Sequence, residues 1–205
     1  MSATAPYPGI AGAVLAGGAA SRYGGMAKGM LPLPTGESMT GRIIDQIAEA
    51  GIEPIVIIAN ERQPYESCGC LILPDTVPGQ GPLGGIATAL AHFEASHTAV
   101  LFMPCDLPGI RASHVTALCD AFEQEDAPIV AARTDGSAWH PLCGVVKVDQ
   151  RPAIEQRAIR REDRGVRLAW RELGARMVHF ADATPFFNVN SPDEMARWRA
   201  ISAVR

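Results

Sequence analysis

Residues 10–18 read Ile-Ala-Gly-Ala-Val-Leu-Ala-Gly-Gly, an apolar run that leads directly into two glycines. A short run without polar residues is typical of a strand that is buried on both faces, as in a parallel sheet covered by helices. The two glycines predict a tight loop at the carboxyl end of this strand. Similar apolar runs at residues 54–59, 70–73 and 98–103 alternate with helical patterns. The sequence therefore predicts an α/β fold.

The remaining elements are predicted from the spacing of apolar residues and from turn residues. Helices are expected over residues 38–50, 83–95, 113–122 and 154–173, the last with a break near Gly165. Further strands are expected over residues 129–132, 142–148 and 176–180, with His140 and Pro141 just before the second of them. Ser113 is predicted to be the N-cap of the third helix.

The C-terminal region begins its own helix with a strong signature. Ser191 is suited to the N-cap, Pro192 to the first helical position and Glu194 to the third. The chain contains neither an internal repeat nor a linker segment. One domain is therefore predicted over residues 1–205, with residues 1–8 as a flexible N-terminal segment.

Composition and charge restrict the class of protein. Of the 205 residues, 47% are hydrophobic and 20% are charged, which suffices for a core without disulfides or structural metals. The formal net charge of −4 disfavours binding to nucleic acid, which needs a basic surface. The five cysteines are irregularly spaced, and no apolar run approaches the roughly 20 residues that span a bilayer. We therefore expect a cytoplasmic protein that binds neither membranes nor nucleic acid.

The loop after the first strand carries a pattern suited to phosphate. Backbone N–H groups of consecutive glycines, here Gly17 and Gly18, can approach an anion closely. Arg22 and Lys28 add two positive charges within the same loop. The spacing matches neither the Walker A loop nor the Gly-x-Gly-x-x-Gly loop. The pattern thus indicates a polyphosphate site of another kind, or else a flexible glycine-rich turn.

Several motifs, in order along the chain, resemble those of molybdenum cofactor guanylyltransferases. The first comprises Leu-Ala-Gly-Gly at residues 15–18 and Arg-Tyr-Gly-Gly-Met-Ala-Lys-Gly-Met-Leu at residues 22–31. It is similar to the family's Leu-Ala-Gly-Gly-x-Ser-x-Arg-Met-Gly-x-Asp-Lys-x-Leu-Leu. Later motifs of the family are matched by Gly-Pro-Leu-Gly-Gly-Ile at 81–86, Pro-Cys-Asp-Leu-Pro at 104–108, His-Pro at 140–141 and Phe-Asn-Val-Asn-Ser-Pro-Asp-Glu at 187–194.

The resemblance implies a fold and a reaction. The fold is a Rossmann-like three-layer α/β sandwich with a mostly parallel sheet, as in nucleotide-diphospho-sugar transferases. The reaction joins the α-phosphate of GTP to the terminal phosphate of molybdopterin and releases pyrophosphate, with Mg²⁺ as the cofactor. The implied partners are GTP, molybdopterin or its molybdenum form, and maturation proteins of molybdoenzymes.

The resemblance also implies the site residues. Lys28, Arg22 and Asp106 are the expected catalytic residues, with Lys28 on the triphosphate and Asp106 as a ligand of Mg²⁺. The expected nucleotide site comprises Leu15, Ala16, Gly17, Gly18, Lys28, Asn60, Asp75, Gly81, Pro82, Leu83 and Asp106. The expected contacts of molybdopterin are His140, Asn188 and Asn190.

Structural roles remain open for several of these residues. Asp75 and Asp106 are also suited to capping turns, and Asn60 to capping the loop that follows its strand. A histidine before proline, as at His140, is often structural. In an extended segment Asn188 and Asn190 would point the same way, because they straddle one residue.

Two departures from the family pattern bear on activity. Ala27 stands where the family has an aspartate directly before the lysine, and residues 32–39 replace a short Gly-Lys-Pro-Leu stretch. One alternative is a binding module that has lost turnover. Another is a cytidylyltransferase acting on the same cofactor, although Leu-Ala-Gly-Gly at residues 15–18 favours guanine because the cytidine enzymes tend to carry Leu-Ala-Ala-Gly. A redox or metal protein would need a ligand spacing that the cysteines do not provide.

Overall fold

A computed structural model describes residues 5–17, 22–23, 26–76, 79–159 and 165–202, without the side chains of Arg22, Tyr23, Met26, Ser137 and Ser202. The strands in these residues are β1 (Ile10–Leu15), β2 (Arg22–Tyr23), β3 (Met26–Ala27), β4 (Ile55–Ile58), β5 (Leu71–Leu73), β6 (Ala99–Pro104), β7 (Ile129–Thr134), β8 (Trp139–Lys147) and β9 (Arg176–Phe180). The α-helices are α1 (Met39–Glu49), α2 (Pro82–Phe93), α3 (Ala112–Gln124), α4 (Arg151–Ile159), α5 (Val166–Glu172) and α6 (Pro192–Ser202).

Seven strands form one sheet in the order β5-β4-β1-β6-β8-β7-β9. Strands β4 and β6 pair in parallel with β1 on either side, and β5 pairs in parallel with β4. Strand β8 is antiparallel to both of its neighbours, whereas β9 is parallel to β7. The prediction of a mostly parallel sheet is therefore confirmed. Strands β2 and β3 form a separate two-stranded hairpin.

Both faces of the sheet are covered by helices. Strand β1 contributes Ile10 and Val14 to one buried cluster and Ala11 and Ala13 to the other, as alternation along a strand requires. Helices α1 and α3 pack on the first face, and α2, α4 and α5 pack on the second. The predicted three-layer α/β sandwich is thus confirmed. Within the described residues, no helix has the length and apolar character needed to cross a membrane.

A third, smaller cluster holds the C-terminal helix in place. It consists of Leu33, Met39, Val189, Met195 and Trp198, all of them buried. Two of these residues come from the region 32–39 that departs from the family pattern, and two come from α6. The departure at residues 32–39 therefore supplies the surface on which α6 packs.

Three local features differ from the sequence predictions. Helix α3 begins before Ser113, because the backbone N–H groups of Arg111 and Ala112 donate to His114 Nδ1 and Gln46 Oε1 at 3.1 and 2.9 Å. These side chains satisfy the N–H groups at the start of the helix, so Ser113 is not its N-cap. The helical region predicted over 154–173 agrees with the structure in its break near Gly165: it is two helices, α4 and α5, and residues 160–164 between them lie outside the described part of the chain.

Strand β8 begins at Trp139, so His140 and Pro141 lie inside the strand rather than before it. The pairing of β8 with β7 changes register between Ala131 and Ala132, which pair with Gly144 and His140. The irregularity accommodates Pro141, since a bulge is one of the few places in a sheet that tolerates proline.

The described part of the N-terminal segment also differs from the prediction of flexibility. Tyr7 is buried, and its hydroxyl donates to Asp120 Oδ1 at 2.6 Å. Burial and the neighbouring Asp120 carboxylate raise the pKa of Tyr7, so the phenol stays neutral and acts as a donor.

Candidate active site

The parallel strands β1, β4, β5 and β6 all end at the same edge of the sheet. A cleft with a volume of about 840 Å³ opens at this edge, where the loops leave for the helices. Predicted nucleotide-site residues that line the cleft are Leu15, Ala16, Gly17, Lys28, Asn60, Asp75, Gly81, Pro82 and Asp106. The structure thus brings together residues from loops that are distant in sequence.

Three predicted nucleotide-site or catalytic residues are not among the described side chains that line the cleft. Gly18 lies outside the described residues, and so does the side chain of Arg22. The backbone of Arg22 pairs with Ala27 in the hairpin of β2 and β3. The side chain of Leu83 is fully buried in the core on the second face of the sheet, so only its backbone is left for the predicted contact. At the second position of α2, Leu83 faces the sheet, whereas the neighbouring Pro82 lines the cleft.

Lys28 and Asp106 form an ion pair at the centre of the cleft. Lys28 Nζ lies 2.8 Å from Asp106 Oδ2, and their side chains are only 13% and 18% exposed. The ammonium also donates to Asn190 Oδ1. An ammonium has three N–H donors, so these two contacts leave one donor for a phosphate oxygen. The structure therefore joins a predicted catalytic pair to a residue predicted for the other substrate.

The carboxylate of Asp106 has an unused oxygen. Oδ1 is buried and has no hydrogen-bond partner among the described residues, whereas Oδ2 is bound by Lys28. A buried carboxylate oxygen without a partner is costly, and a cation is a ligand that would satisfy it. Among the described residues, no three His, Cys, Asp or Glu side chains converge into a metal site made by the protein alone. The arrangement fits a cation that takes one ligand from Asp106 and the others from phosphate and water.

Asn60 and Asp75 form a second polar pair on the wall of the cleft. Asn60 Nδ2 donates to Asp75 Oδ2 at 3.1 Å, and the backbone N–H of Asp75 donates to Asn60 Oδ1 at 2.9 Å. The two bonds connect the loop after β4 to the loop after β5. The first bond holds the Asp75 carboxylate through Oδ2 and leaves Oδ1 for further contacts, and the second bond holds the backbone of Asp75.

Glycine is required where α2 passes the strand ends. A Cβ atom at Gly85 would lie 3.0 Å from Ile58 Cγ2 and 3.2 Å from Asp75 Oδ1. Both distances are tighter than ordinary contact, which begins at 3.4 Å. Gly85 therefore lets the helix start close to Asp75 and keeps the cleft open beside the carboxylate.

The turn that carries Lys28 is packed just as closely. Lys28–Met30 form one turn of 3₁₀ helix, and Gly29 within it is buried. A Cβ atom at Gly29 would lie 2.4 Å from Thr40 Oγ1 and 3.2 Å from both Cys105 Sγ and Tyr65 Cε1. Lys28 is thus held by a turn whose position is set by close packing against α1 and the end of β6.

The residues predicted to contact molybdopterin are in two places. Asn188 and Asn190 are exposed and straddle the fully buried Val189, as predicted for an extended segment. His140 does not line the cleft. It stacks on Phe186 with ring centroids 4.7 Å apart, and its Nε2 lies 3.1 Å from Thr134 Oγ1. Burial, together with Arg167, lowers the pKa of His140, so its ring is neutral near pH 7.

Several residues of the site were not identified from the sequence. Tyr65 is buried, and its hydroxyl donates to the carbonyl of Ala16 at 3.1 Å, which holds the start of the first loop. Glu194 accepts a hydrogen bond from the backbone N–H of Asn190 at 2.6 Å. Glu61 and Cys105 also line the cleft. The capping signature predicted Glu194 only as part of a helix start. No pattern in the sequence connects Tyr65 to Ala16, which lies 49 positions away.

The cysteines have the chemistry of core residues. Cys105, Cys119 and Cys143 are buried. Burial raises the pKa of Cys105 and of Cys119 to about 12, so neither thiol ionises near neutral pH. A neutral thiol is a poor nucleophile and a poor metal ligand. The alternative of a redox or metal protein built on these three cysteines receives no support.

The chain is similar to known proteins over most of its length. The model of the MobA-like NTP transferase domain matches residues 12–177. A molybdenum cofactor guanylyltransferase of Vibrio cholerae is 34% identical over 190 residues, which are 92% of this chain and 90% of that protein.

Two solved structures are similar in fold. The molybdopterin-guanine dinucleotide biosynthesis protein A of Archaeoglobus fulgidus has a TM-score of 0.75 and 20% identity, with 95% of this chain and 99% of that chain covered. The manganese complex of Rv0371C from Mycobacterium tuberculosis has a TM-score of 0.71 and 18% identity, with 92% and 97% covered.

Proposed function

This chain belongs to the MobA-like NTP transferase family, and we propose that it transfers GMP from GTP to the terminal phosphate of molybdopterin. The observation that carries the proposal is that Lys28 contacts both Asp106, which lines the cleft with it, and Asn190. Lys28 and Asp106 belong to the motifs expected to bind the nucleotide. Asn190 belongs to the motif expected to bind molybdopterin, the acceptor of GMP. Their contact supports a site where the two substrates react.

The reaction is a substitution at phosphorus. An oxygen of the molybdopterin phosphate attacks the α-phosphorus of GTP, and a new P–O–P link forms. The bond from the α-phosphorus to the oxygen that bridges to the β-phosphate breaks, and its electron pair leaves on pyrophosphate. Such a reaction needs positioning and neutralisation of charge more than a covalent nucleophile. Lys28 would supply the positive charge, and Gly17 the backbone N–H group beside the phosphates.

Asp75 is the residue we propose for recognition of guanine. The Watson–Crick edge of guanine carries two adjacent N–H donors, whereas that of cytosine carries an acceptor beside its amino group. A carboxylate accepts two parallel hydrogen bonds well. Asp75 is held by Asn60 through one oxygen and keeps the other beside Gly85. The pair Asn60–Asp75 therefore supports a preference for GTP over CTP.

Asp106 would hold the divalent cation, which we propose is Mg²⁺. Its buried Oδ1 is without a partner and fits a hard cation that shares its other ligands with the triphosphate. A bound Mg²⁺ would neutralise charge on the triphosphate as the pyrophosphate leaves. Ala27 adds no second carboxylate here, so Asp106 would have two tasks: it would hold the cation through Oδ1, and it orients Lys28 through Oδ2.

Molybdopterin would bind along Asn188 and Asn190, whose exposed amides can donate to a phosphate or to the edge of a pterin. His140 belongs to this proposal as a neutral hydrogen-bonding group, because its pKa is lowered. A cytoplasmic location, contacts with maturation proteins and the absence of nucleic-acid and membrane partners remain predictions from the sequence, as does a single domain over residues 1–205.

The proposal is tested by measuring pyrophosphate release with Mg²⁺, molybdopterin and GTP, CTP or ATP in turn. We expect turnover with GTP. Turnover with CTP and not GTP would favour the cytidylyltransferase, and GTP binding without turnover would favour the binding module; either result would overturn the proposal.

Lys28→Ala should lower turnover about 10²- to 10³-fold, as the loss of a group that stabilises charge in the transition state does. Lys147→Ala is a matched control, because Lys147 also lies 2.8 Å from an aspartate, Asp126, on an exposed surface outside the cleft. Equal turnover rates for Lys28→Ala and Lys147→Ala would show that Lys28 takes no part in the reaction.

A further inference from the structure

A ring of contacts joins three regions of the chain around Lys28. The ammonium binds Asp106 Oδ2 at 2.8 Å and also Asn190 Oδ1. The backbone N–H of Val189, next to Asn190, donates to the backbone carbonyl of Asp106 at 2.9 Å. Both partners of Lys28 are thus tied to each other through the backbone. A displacement of Asn190 would open the ring on the side where molybdopterin is proposed to bind.

Asn190 is exposed, so packing of its own side chain does not fix its orientation. Its backbone N–H donates to Glu194 Oε2 at 2.6 Å, a distance typical of a strong bond to a charged acceptor. Glu194 lies in the first turn of α6, and its backbone N–H donates to Ser191 Oγ at 3.2 Å. The hydrogen bond from Asn190 is the main reason why the pKa of Glu194 is lowered, and the charge of Lys28 contributes.

This contact extends an ordinary capping box. In that motif the carboxylate at the third helical position accepts from the N–H of the N-cap residue itself. Here the backbone of the N-cap residue Ser191 also stabilises the carboxylate, which in addition reaches one residue further back, to the residue whose side chain holds Lys28. Ser191 already caps the helix, so the contact of Glu194 with Asn190 does more than stabilise the start of α6.

We propose that Glu194 is a positioning residue for Lys28, which it controls by fixing Asn190. The carboxylate holds the backbone of Asn190, and the backbone directs the side-chain oxygen of Asn190 towards the ammonium. The segment lies beyond residue 177, where the match to the family model ends. Ala27, directly before Lys28, cannot accept a hydrogen bond from the ammonium through its side chain. The second acceptor of Lys28 therefore comes from the segment that precedes α6.

The test uses Glu194→Ala, Glu194→Gln and the control Asp193→Ala in the full chain. Asp193 is exposed, lies in the same first turn of α6 and carries the same charge. Loss of a hydrogen bond to a charged group should lower kcat/KM for GTP about tenfold in Glu194→Ala. Glu194→Gln keeps an acceptor oxygen and should recover most of that loss, while Asp193→Ala should match the wild type.

A second measurement separates positioning from a general effect on folding. If Glu194 acts through Asn190, the loss caused by Glu194→Ala should disappear when Asn190 is already alanine. Thermal unfolding of each variant reports whether α6 remains folded. A full tenfold loss in the Asn190→Ala background, or a Glu194→Gln variant as impaired as Glu194→Ala, would overturn the proposal.

The inference rests on the proposed function, because turnover of GTP is its readout, but the two fail in different ways. If the wild-type protein does not release pyrophosphate from GTP, the proposed function is wrong. If the wild type is active and Glu194→Ala is as active, the positioning role of Glu194 is wrong and the proposed function stands.

Discussion

Replacing Gly29 by alanine tests how strictly the turn of Lys28 is positioned. The new Cβ atom would lie 2.4 Å from Thr40 Oγ1, and ordinary contact begins at 3.4 Å, so the turn must shift by about 1 Å. Neighbours on the other sides are the buried residues Tyr65 and Cys105, which leave little room for the shift. We expect a loss of about 1–3 kcal/mol in the free energy of unfolding, as overpacking typically costs. A displacement of about 1 Å at Lys28 should also lower turnover about 10²-fold.

Denaturant unfolding and pyrophosphate release measure the two effects separately. Thr40→Ala in the same chain removes the hydroxyl that collides, and that hydroxyl is buried without a partner, so its loss leaves no hydrogen bond broken. The double variant should therefore regain both stability and turnover. Gly17→Ala is the control for stability, because among the described residues its Cβ atom would meet nothing closer than 3.7 Å. Wild-type stability and turnover in Gly29→Ala would refute the reasoning.

Three further outcomes are expected. Asp75→Asn should raise KM for GTP about tenfold through loss of a charged acceptor and leave the weak use of CTP unchanged; equal effects on both nucleotides would contradict the role in guanine recognition. Trp198→Ala removes a side chain that is 8% exposed and should destabilise the packing of α6 by about 3 kcal/mol. Turnover should fall together with this stability, and wild-type kinetics in Trp198→Ala would show that the packing of α6 does not affect the site. Burial lowers the pKa of His114 and His140 below the usual 6.5, so the folded state binds fewer protons than the unfolded state and the free energy of unfolding should decrease as pH falls from about 7 to about 5. Replacement of both by Asn should flatten this dependence in denaturant titrations, and an unchanged slope would be inconsistent with it.

The sheet and its cleft follow from local patterns that the sequence displays openly. Apolar runs such as residues 10–15 have no polar side-chain atom, and neighbouring strands satisfy their backbone groups, so the pattern favours buried strands. Parallel strands bring their carboxyl ends to one edge, and this rule alone brings the loops that carry Lys28, Asn60 and Asp106 together.

Contacts that depend on tertiary packing could not be predicted in the same way. The start of α3 is set by Gln46, a residue of α1 that lies 66 positions earlier in the chain. The strand that contains Pro141 is possible because β7 and β8 change register beside it. At the second position of α2 the side chain of Leu83 turns to the core. In each case the packing of neighbouring elements decides, which the local pattern does not display.

The ring around Lys28 has a consequence for the order in which the protein is made. The lysine is synthesised first, Asp106 later, and Asn190 and Glu194 later still. The strands that end at the cleft all precede Cys105, so they can pair before the lysine acquires Asn190 as a partner. The site is complete only when the segment before α6 docks beside Asp106.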